Sequence, residues 1–258
     1  PNETANPFLF FTFLSNFNNM FYGLPDASVL GVLWSVSIEE QFYLLWPLLL
    51  AFVPQQKQLA AFVAIIIVSI GFRIYYIDDY TVLYYHTLCV ISDMCVGGIV
   101  AWMCLYYPRF KAFFEELSTK WIVIVYFLGF LLMVFRKDVF HLPILLVLER
   151  MVFGVFFAFI ILEQCFAHKS FYKIGNWKYI SYWGRYTYGL YCLHFIGILM
   201  AINVSKIIGT SNSFWGVMLL ESCLAFGFSL VLAWASYEYF EAYFLKKKDK
   251  FAFFTKPK

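Results

Sequence analysis

Apolar residues run along this chain in blocks too long for a buried strand and too continuous for a helix with one wet face. Runs near the 20 residues needed to cross a hydrocarbon core of about 30 Å fall at roughly 34–53, 58–77, 88–107, 121–135, 142–167, 186–204 and 214–240. They predict an all-α, polytopic bundle of seven membrane helices. The fourth run is short for a span, and the last is long enough to tilt. Segment 8–14 is apolar but too short to cross, which predicts an interfacial or re-entrant piece. No internal repeat and no Pro/Gly/Ser linker divides the chain. The expectation is one membrane domain over 1–258, with 1–33 on the outer side and a basic cytoplasmic tail at 242–258.

Composition agrees with lipid as the solvent. The chain is 62% hydrophobic and 14% charged, against about 45–50% and about 25% in soluble domains. Its 32 Phe, 19 Tyr and 8 Trp exceed what one water-soluble core could hide. The net charge of +3 leaves no basic footprint for nucleic acid. Six cysteines sit in apolar stretches without CxxC or Cys/His spacing and read as small buried hydrophobes. No histidine pair has metal spacing, so no metal is expected. The chain opens on Pro1, followed by polar Asn2, Glu3, Thr4 and Asn6, and resembles neither a translation start nor a signal peptide. It reads as the remainder of a longer chain.

Lys and Arg set the expected topology, because short loops rich in them stay cytoplasmic. With Lys246, Lys247, Lys248, Lys250, Lys256 and Lys258 inside, Lys57, Arg109, Lys111, Lys120, Lys169, Lys173, Lys178 and Arg185 fall inside as well. Arg73, Arg136, Lys137 and Lys206 fall outside, and Arg150 lies within a span. Residue 1 is then outside.

Ionisable groups inside a span cost about 2.5–3.5 kcal/mol each and ask for a partner or a role. The sharpest case is the doublet Glu39–Glu40 at the start of the first run, followed by Gln41 and Tyr43 and flanked by Trp34 and Trp46. One reading is a capping box, with Ser37 as N-cap and Glu40 three residues on. The other is a polar cluster that binds a hydroxyl-rich acceptor or tunes a base. Arg73 reads either as a snorkelling side chain or as an anion contact. Asp93 has few opposite charges nearby in sequence. Glu149 and Arg150 are adjacent and point apart on a helix, so each needs its own partner, and structural pairing is favoured. His194 ends an aromatic stripe with Tyr188 and Tyr191, where packing competes with substrate contact. His86 suits interfacial anchoring, and His141 and His168 are loop residues.

The run Trp34-Ser35-Val36-Ser37-Ile38-Glu39-Glu40-Gln41-Phe42-Tyr43-Leu44-Leu45-Trp46-Pro47 closely resembles the signature of the membrane acyltransferase type 3 family, bacterial enzymes that O-acylate envelope polysaccharides. Three weaker matches follow in the family's order. Thr87, Asp93 and Gly98 resemble its Thr-x5-Asp-x4-Gly helix, although Ile91 stands where an Arg is often found. Thr187-Tyr188-Gly189-Leu190-Tyr191-Cys192-Leu193-His194 resembles its Ser-Tyr-Gly-Leu-Tyr-Leu-x-His element, with Thr187 in place of Ser. Ser236, Tyr237 and Glu241 resemble the close of its last helix.

The resemblance implies about ten spans in a whole member, so seven here leave about three upstream. Those would carry the family's first-helix Arg and its His base. It also implies a membrane O-acyltransferase using cytoplasmic acyl-CoA, most simply acetyl-CoA, as co-substrate. The acceptor would be a hydroxyl of an envelope glycan or a lipid-linked sugar, and no bound cofactor is implied. Glu39 and Glu40 would be the catalytic carboxylates. Trp34, Ser35, Ser37, Gln41, Tyr43, Arg73, Asp93 and His194 would bind substrate. A transporter of envelope precursors and a non-catalytic remnant stay open beside it; the former would disperse polar groups along a pathway and show inverted repeats.

Overall fold

The computed structural model describes residues 3–210 and 213–248, and Lys250, Lys256 and Lys258 of the expected tail lie outside them. The described residues gather into two compact units. The first joins residues 3–27 to Leu33–Ile174. The second joins Ser28–Val32 to the residues from Gly175 on. Every described element is helical.

The first unit holds α1 (Pro7–Phe11), α2 (Ser15–Tyr22), α3 (Leu33–Phe52), α4 (Gln55–Tyr75), α5 (Tyr80–Tyr85), α6 (Thr87–Tyr106), α7 (Pro108–Glu115), α8 (Thr119–Val134), α9 (Arg136–Val139) and α10 (Pro143–Phe166). The second holds α11 (Lys178–Trp183), α12 (Thr187–Ile208), α13 (Ser222–Ser236) and α14 (Ala242–Lys248).

All seven apolar runs become helices, but five are both long and apolar enough to cross a membrane: Gln55–Tyr75, Tyr80–Tyr106, Pro143–Phe166, Lys178–Ile208 and Gly216–Lys247. The fourth run forms α8, which with α7 makes a pair bent by 91°, a sixth span if taken together. The remaining run forms α3. It has 20 residues, and its Glu39, Glu40 and Gln41 dilute it below the apolarity of the five. The same three residues that mark the motif therefore remove the helix from the clear spans. Segment 8–14, expected at the interface, is split between α1 and the turn before α2.

Within the first unit α6 packs between α4 and α10. Ser69 of α4 donates to the Leu88 carbonyl of α6 at 2.6 Å. The carboxylate of Glu3 accepts from the backbone N–H groups of Ala5 (3.0 Å), Asp26 (3.1 Å) and Ala27 (3.1 Å), tying the first residues to the loop before α3. The Ala5 contact first, then the others, holds that carboxyl below its usual range. In the second unit α12 and α13 form a tight antiparallel pair lined by small residues, the packing that membrane helices use when lipid offers no hydrophobic drive. A Cβ on Gly197 would stand 2.8 Å from the Ser229 backbone nitrogen. Gly209, at φ +80°, ends α12 in the left-handed conformation.

Of the six cysteines, Cys89 and Cys95 are buried as expected, whereas Cys165 and Cys223 are exposed. Their apolar stretches face outward, where lipid rather than protein covers a small hydrophobe.

Candidate active site

Successive residues of a helix are about 100° apart, so Trp34, Ser37 and Gln41 share one face of α3. That face is fully engaged. Trp34 lies against Tyr84 and Tyr85, with ring centroids 4.8 and 5.2 Å away. Ser37 shares a 2.7 Å hydrogen bond with Ser15 of α2. The Gln41 amide donates to the Phe13 carbonyl (2.7 Å) and to Asn16 Oδ1 (2.9 Å), and its Oε1 accepts from the Thr87 hydroxyl (2.6 Å). Asn16 closes the loop by donating to Thr87 Oγ1 (3.1 Å) and to the Tyr85 carbonyl (3.0 Å). Three side chains thus lock α3, α2 and α6 together. Further along α3, Trp46 stacks on Phe62 at 4.7 Å and lies over Gly98.

Ser37 is the fifth residue of α3, not its N-cap. The capping-box reading fails for that reason: the helix begins one turn earlier than the motif suggests, directly after the 3-10 turn Ser28–Val32. Glu39 and Glu40 point away from the locked face and flank Tyr43. Both carboxylates are half-buried. Neither has a hydrogen bond or ion pair among the described residues, and neither lines a described cavity. Tyr43, expected beside them as a hydrogen-bonding support, lies one turn on from Glu39, on the side away from Ser37 and Gln41, and is 59% exposed. Ser35 lies on the same first turn of α3.

Arg73, Asp93, Glu149 and Arg150 come together from α4, α6 and α10. Asp93, without a partner nearby in sequence, accepts from Arg150 Nη2 (2.7 Å) and Nε (3.0 Å). Glu149 is paired with Arg136, so the adjacent Glu149 and Arg150 do take separate partners. Arg73 does not snorkel. It is 4% exposed and donates to the Leu146 carbonyl at 3.2 Å, since α10 packs against its side of α4. The two ion pairs line a cavity of about 700 Å³ between α6, α8 and α10.

His194 lies in the second unit and lines a cavity of about 500 Å³ with Tyr191 and Ser229. Its Nδ1 is 2.6 Å from the Tyr191 carbonyl one turn back, a local contact that suits the packing reading. His86 does more than anchor. Its Nδ1 accepts from the Leu88 N–H at 3.1 Å and so caps α6.

The sequence reading passed over several polar partners. Asn16, Asn18 and Asn19 of α2 are buried, and the run of Ser15, Asn16, Asn18 and Asn19 after an apolar segment was a visible signal for them. Glu163 is fully buried and accepts from Tyr126 (3.0 Å) and Gln164 (2.7 Å). The backbone turns π-helical over Tyr237–Glu241, a form frequent at functional positions. That bulge brings Glu241 back to Ser236 (2.9 Å) and leaves Glu238 facing the Tyr186 hydroxyl (3.3 Å).

No protein-family model matches the chain, and no solved structure matches it. Among curated proteins it is similar to one of Bacillus subtilis (strain 168) named "Putative peptidoglycan O-acetyltransferase YrhL", with 27% identity over 256 residues and 92% of this chain covered. The chain spans 37% of that relative's length.

Proposed function

We propose that this chain carries part of a membrane-bound O-acyltransferase that moves an acetyl group onto a hydroxyl of a cell-wall glycan. The carrying observation is the construction of α3. Trp34, Ser37 and Gln41 fix the helix to its neighbours, and the frame holds Glu39 and Glu40 half-buried without a structural partner. Carboxylates held rigidly in a semi-apolar place are suited to orienting a base or an acceptor hydroxyl. The similarity to a named peptidoglycan O-acetyltransferase supports the same chemistry, as does the resemblance of the fourteen-residue run beginning at Trp34.

In this reading the donor is acyl-CoA. The acceptor oxygen forms the new ester bond, the thioester C–S bond breaks, and the hydroxyl proton leaves through a base. Glu39 and Glu40 orient that base or the acceptor, and Ser35 supports them from the first turn of α3. The test uses the full-length protein in cells. Glu39→Gln and Glu40→Gln should each abolish the acetyl mass increment on purified cell-wall glycan while membrane insertion is unchanged. Full acetylation in both variants rejects the assignment.

A further inference from the structure

The two ion pairs at the α6–α10 crossing cancel in charge but not in hydrogen-bonding capacity. Asp93 is joined to Arg150 through Oδ2, Nε and Nη2, and Glu149 to Arg136 through Oε1 and Nε. Left over are the acceptors Asp93 Oδ1 and Glu149 Oε2 and the donors Arg150 Nη1, Arg136 Nη1 and Arg136 Nη2. Among the described residues only Asp93 Oδ1 has a further partner, the Ser92 hydroxyl at 3.4 Å. The spare atoms of Asp93, Glu149 and Arg150 are not walled in, unlike Nε and Nη1 of Arg73. They open into the cavity of about 700 Å³ that their residues line.

The walls of that cavity follow from helix periodicity. Arg150, Phe153, Gly154, Phe157, Ala158 and Ile161 recur every three or four residues and form one face of α10. Gly97 and Gly154, which carry no side chain, leave the space open on both helices. Spare donors and acceptors thus stand at one end, beside the rings of Phe153 and Phe157, in a volume within the range of about 300–1,000 Å³ usual for small-ligand sites. The Arg136 side chain, at the start of α9, is 61% exposed, so the cavity opens where α8 ends and α6 and α10 begin. The doublet Glu39–Glu40 lies at the same end of the bundle. Gln41 meets Thr87 and Trp46 lies over Gly98, so α3 runs parallel to α6.

We infer that this cavity binds a neutral saccharide. A hydroxyl both donates and accepts. Neighbouring hydroxyls of one sugar ring therefore donate to Asp93 Oδ1 or Glu149 Oε2 while accepting from Arg150 or Arg136, and the C–H face of the ring lies on Phe153 or Phe157. A charged ligand of either sign would be desolvated here without an unpaired counter-charge to meet it; Lys137 and Asp138 at the rim cancel as well. A hydrocarbon tail would leave the spare donors and acceptors unbonded. The pairs go on joining their helices, and only the atoms they leave over meet the sugar. That this sugar is a non-reacting unit of the acceptor, held so that its neighbour reaches the chemistry, rests on the acyl-transfer reading; the binding site itself does not.

The experiment titrates chitotetraose, a neutral N-acetylglucosamine tetramer, into the full-length protein in detergent without an acyl donor, followed by calorimetry. The wild type should show saturable one-to-one binding. At Gly97 a Cβ meets no atom within 4 Å, so Gly97→Leu places its side chain in the cavity; it should abolish binding while the thermal transition stays in place. Phe157, 48% exposed, supports little of the fold, and Phe157→Ala should weaken binding about tenfold. No saturable binding, or undiminished binding in both variants, overturns the inference even where Glu39→Gln abolishes acetylation. Binding that is lost in Gly97→Leu upholds it even where both glutamate variants acetylate fully, a result that sinks the acyl-transfer reading instead. A phosphatidylethanolamine retained one-to-one by the wild type, lost in Gly97→Leu and not displaced by excess chitotetraose would give the cavity to a lipid and also overturn the inference.

Discussion

Glu39 and Glu40 are the seventh and eighth residues of α3, Asp93 is the seventh of α6, and Glu149 and Arg150 are the seventh and eighth of α10. The charges sit equally deep in their helices, yet their surroundings differ. At the crossing of α6 and α10, Asp93 and Glu149 each have a guanidinium. On α3 the uncharged neighbours are bonded, through Ser37 and Gln41, and the carboxylates are left over. Depth alone therefore does not separate a structural charge from a working one. What separates them is whether the fold supplies a partner, and the distinction makes opposite forecasts for stability and activity.

The largest effect on stability is expected where a pair is broken. Asp93→Leu leaves Arg150 without its acceptor, and Arg150→Leu strands Asp93; each should lower the unfolding free energy in detergent by about 3 kcal/mol, the low end for a buried pair because both side chains keep some exposure. The double variant Asp93→Leu with Arg150→Leu should recover most of the loss in a double-mutant cycle. If the two single losses simply add, the pair is decorative and the contrast with α3 disappears.

A middle-sized effect tests how closely α3 is pressed on α6. Gly98 and Gly97 are neighbours with opposite surroundings. A Cβ on Gly98 would stand 2.3 Å from Trp46 Cζ2, inside a stacked ring that Phe62 holds from the far side. Gly98→Ala should cost about 1–3 kcal/mol through overpacking. At Gly97 nothing lies within 4 Å, and Gly97→Ala should gain about 0.5–1 kcal/mol by stiffening the helix. Thermal melts of the two variants, measured side by side, read the sign directly. Equal behaviour would mean that Trp46 does not fix α3.

The placement of the helices was legible because lipid is a uniform solvent: any 20-residue apolar run must become a helix to satisfy its backbone, and the seven runs did. The sequence also showed that Glu149 and Arg150 need separate partners, since adjacent residues diverge on a helix. It could not show that the partner of Arg150 is Asp93, 57 positions earlier, because periodicity says which way a side chain points but not which helix lies opposite. The snorkelling reading of Arg73 failed for the same reason. A cation near a helix end looks free to reach the interface until α10 is found packed over it. Gln41 was recognised as polar and out of place, but its partners Asn16 and Thr87 sit on two other helices. The capping reading of Ser37 failed on a boundary, the least constrained part of any helix assignment.

The smallest expected change in stability belongs to the residues with the largest expected role. Glu39 and Glu40 hold nothing in place, and as adjacent like charges they repel each other, so neutralising one removes no bond and relieves some of that repulsion. Glu39→Gln and Glu40→Gln should therefore leave the unfolding free energy within about 0.5 kcal/mol of the wild type, the range of a substitution that breaks no contact, while acetylation is lost. The measurement is a thermal melt of each purified variant beside its glycan assay. A loss of stability comparable to that of Asp93→Leu would place the doublet with the structural charges of α6 and α10, and any failure to acetylate would then follow from a disturbed fold rather than from missing chemistry.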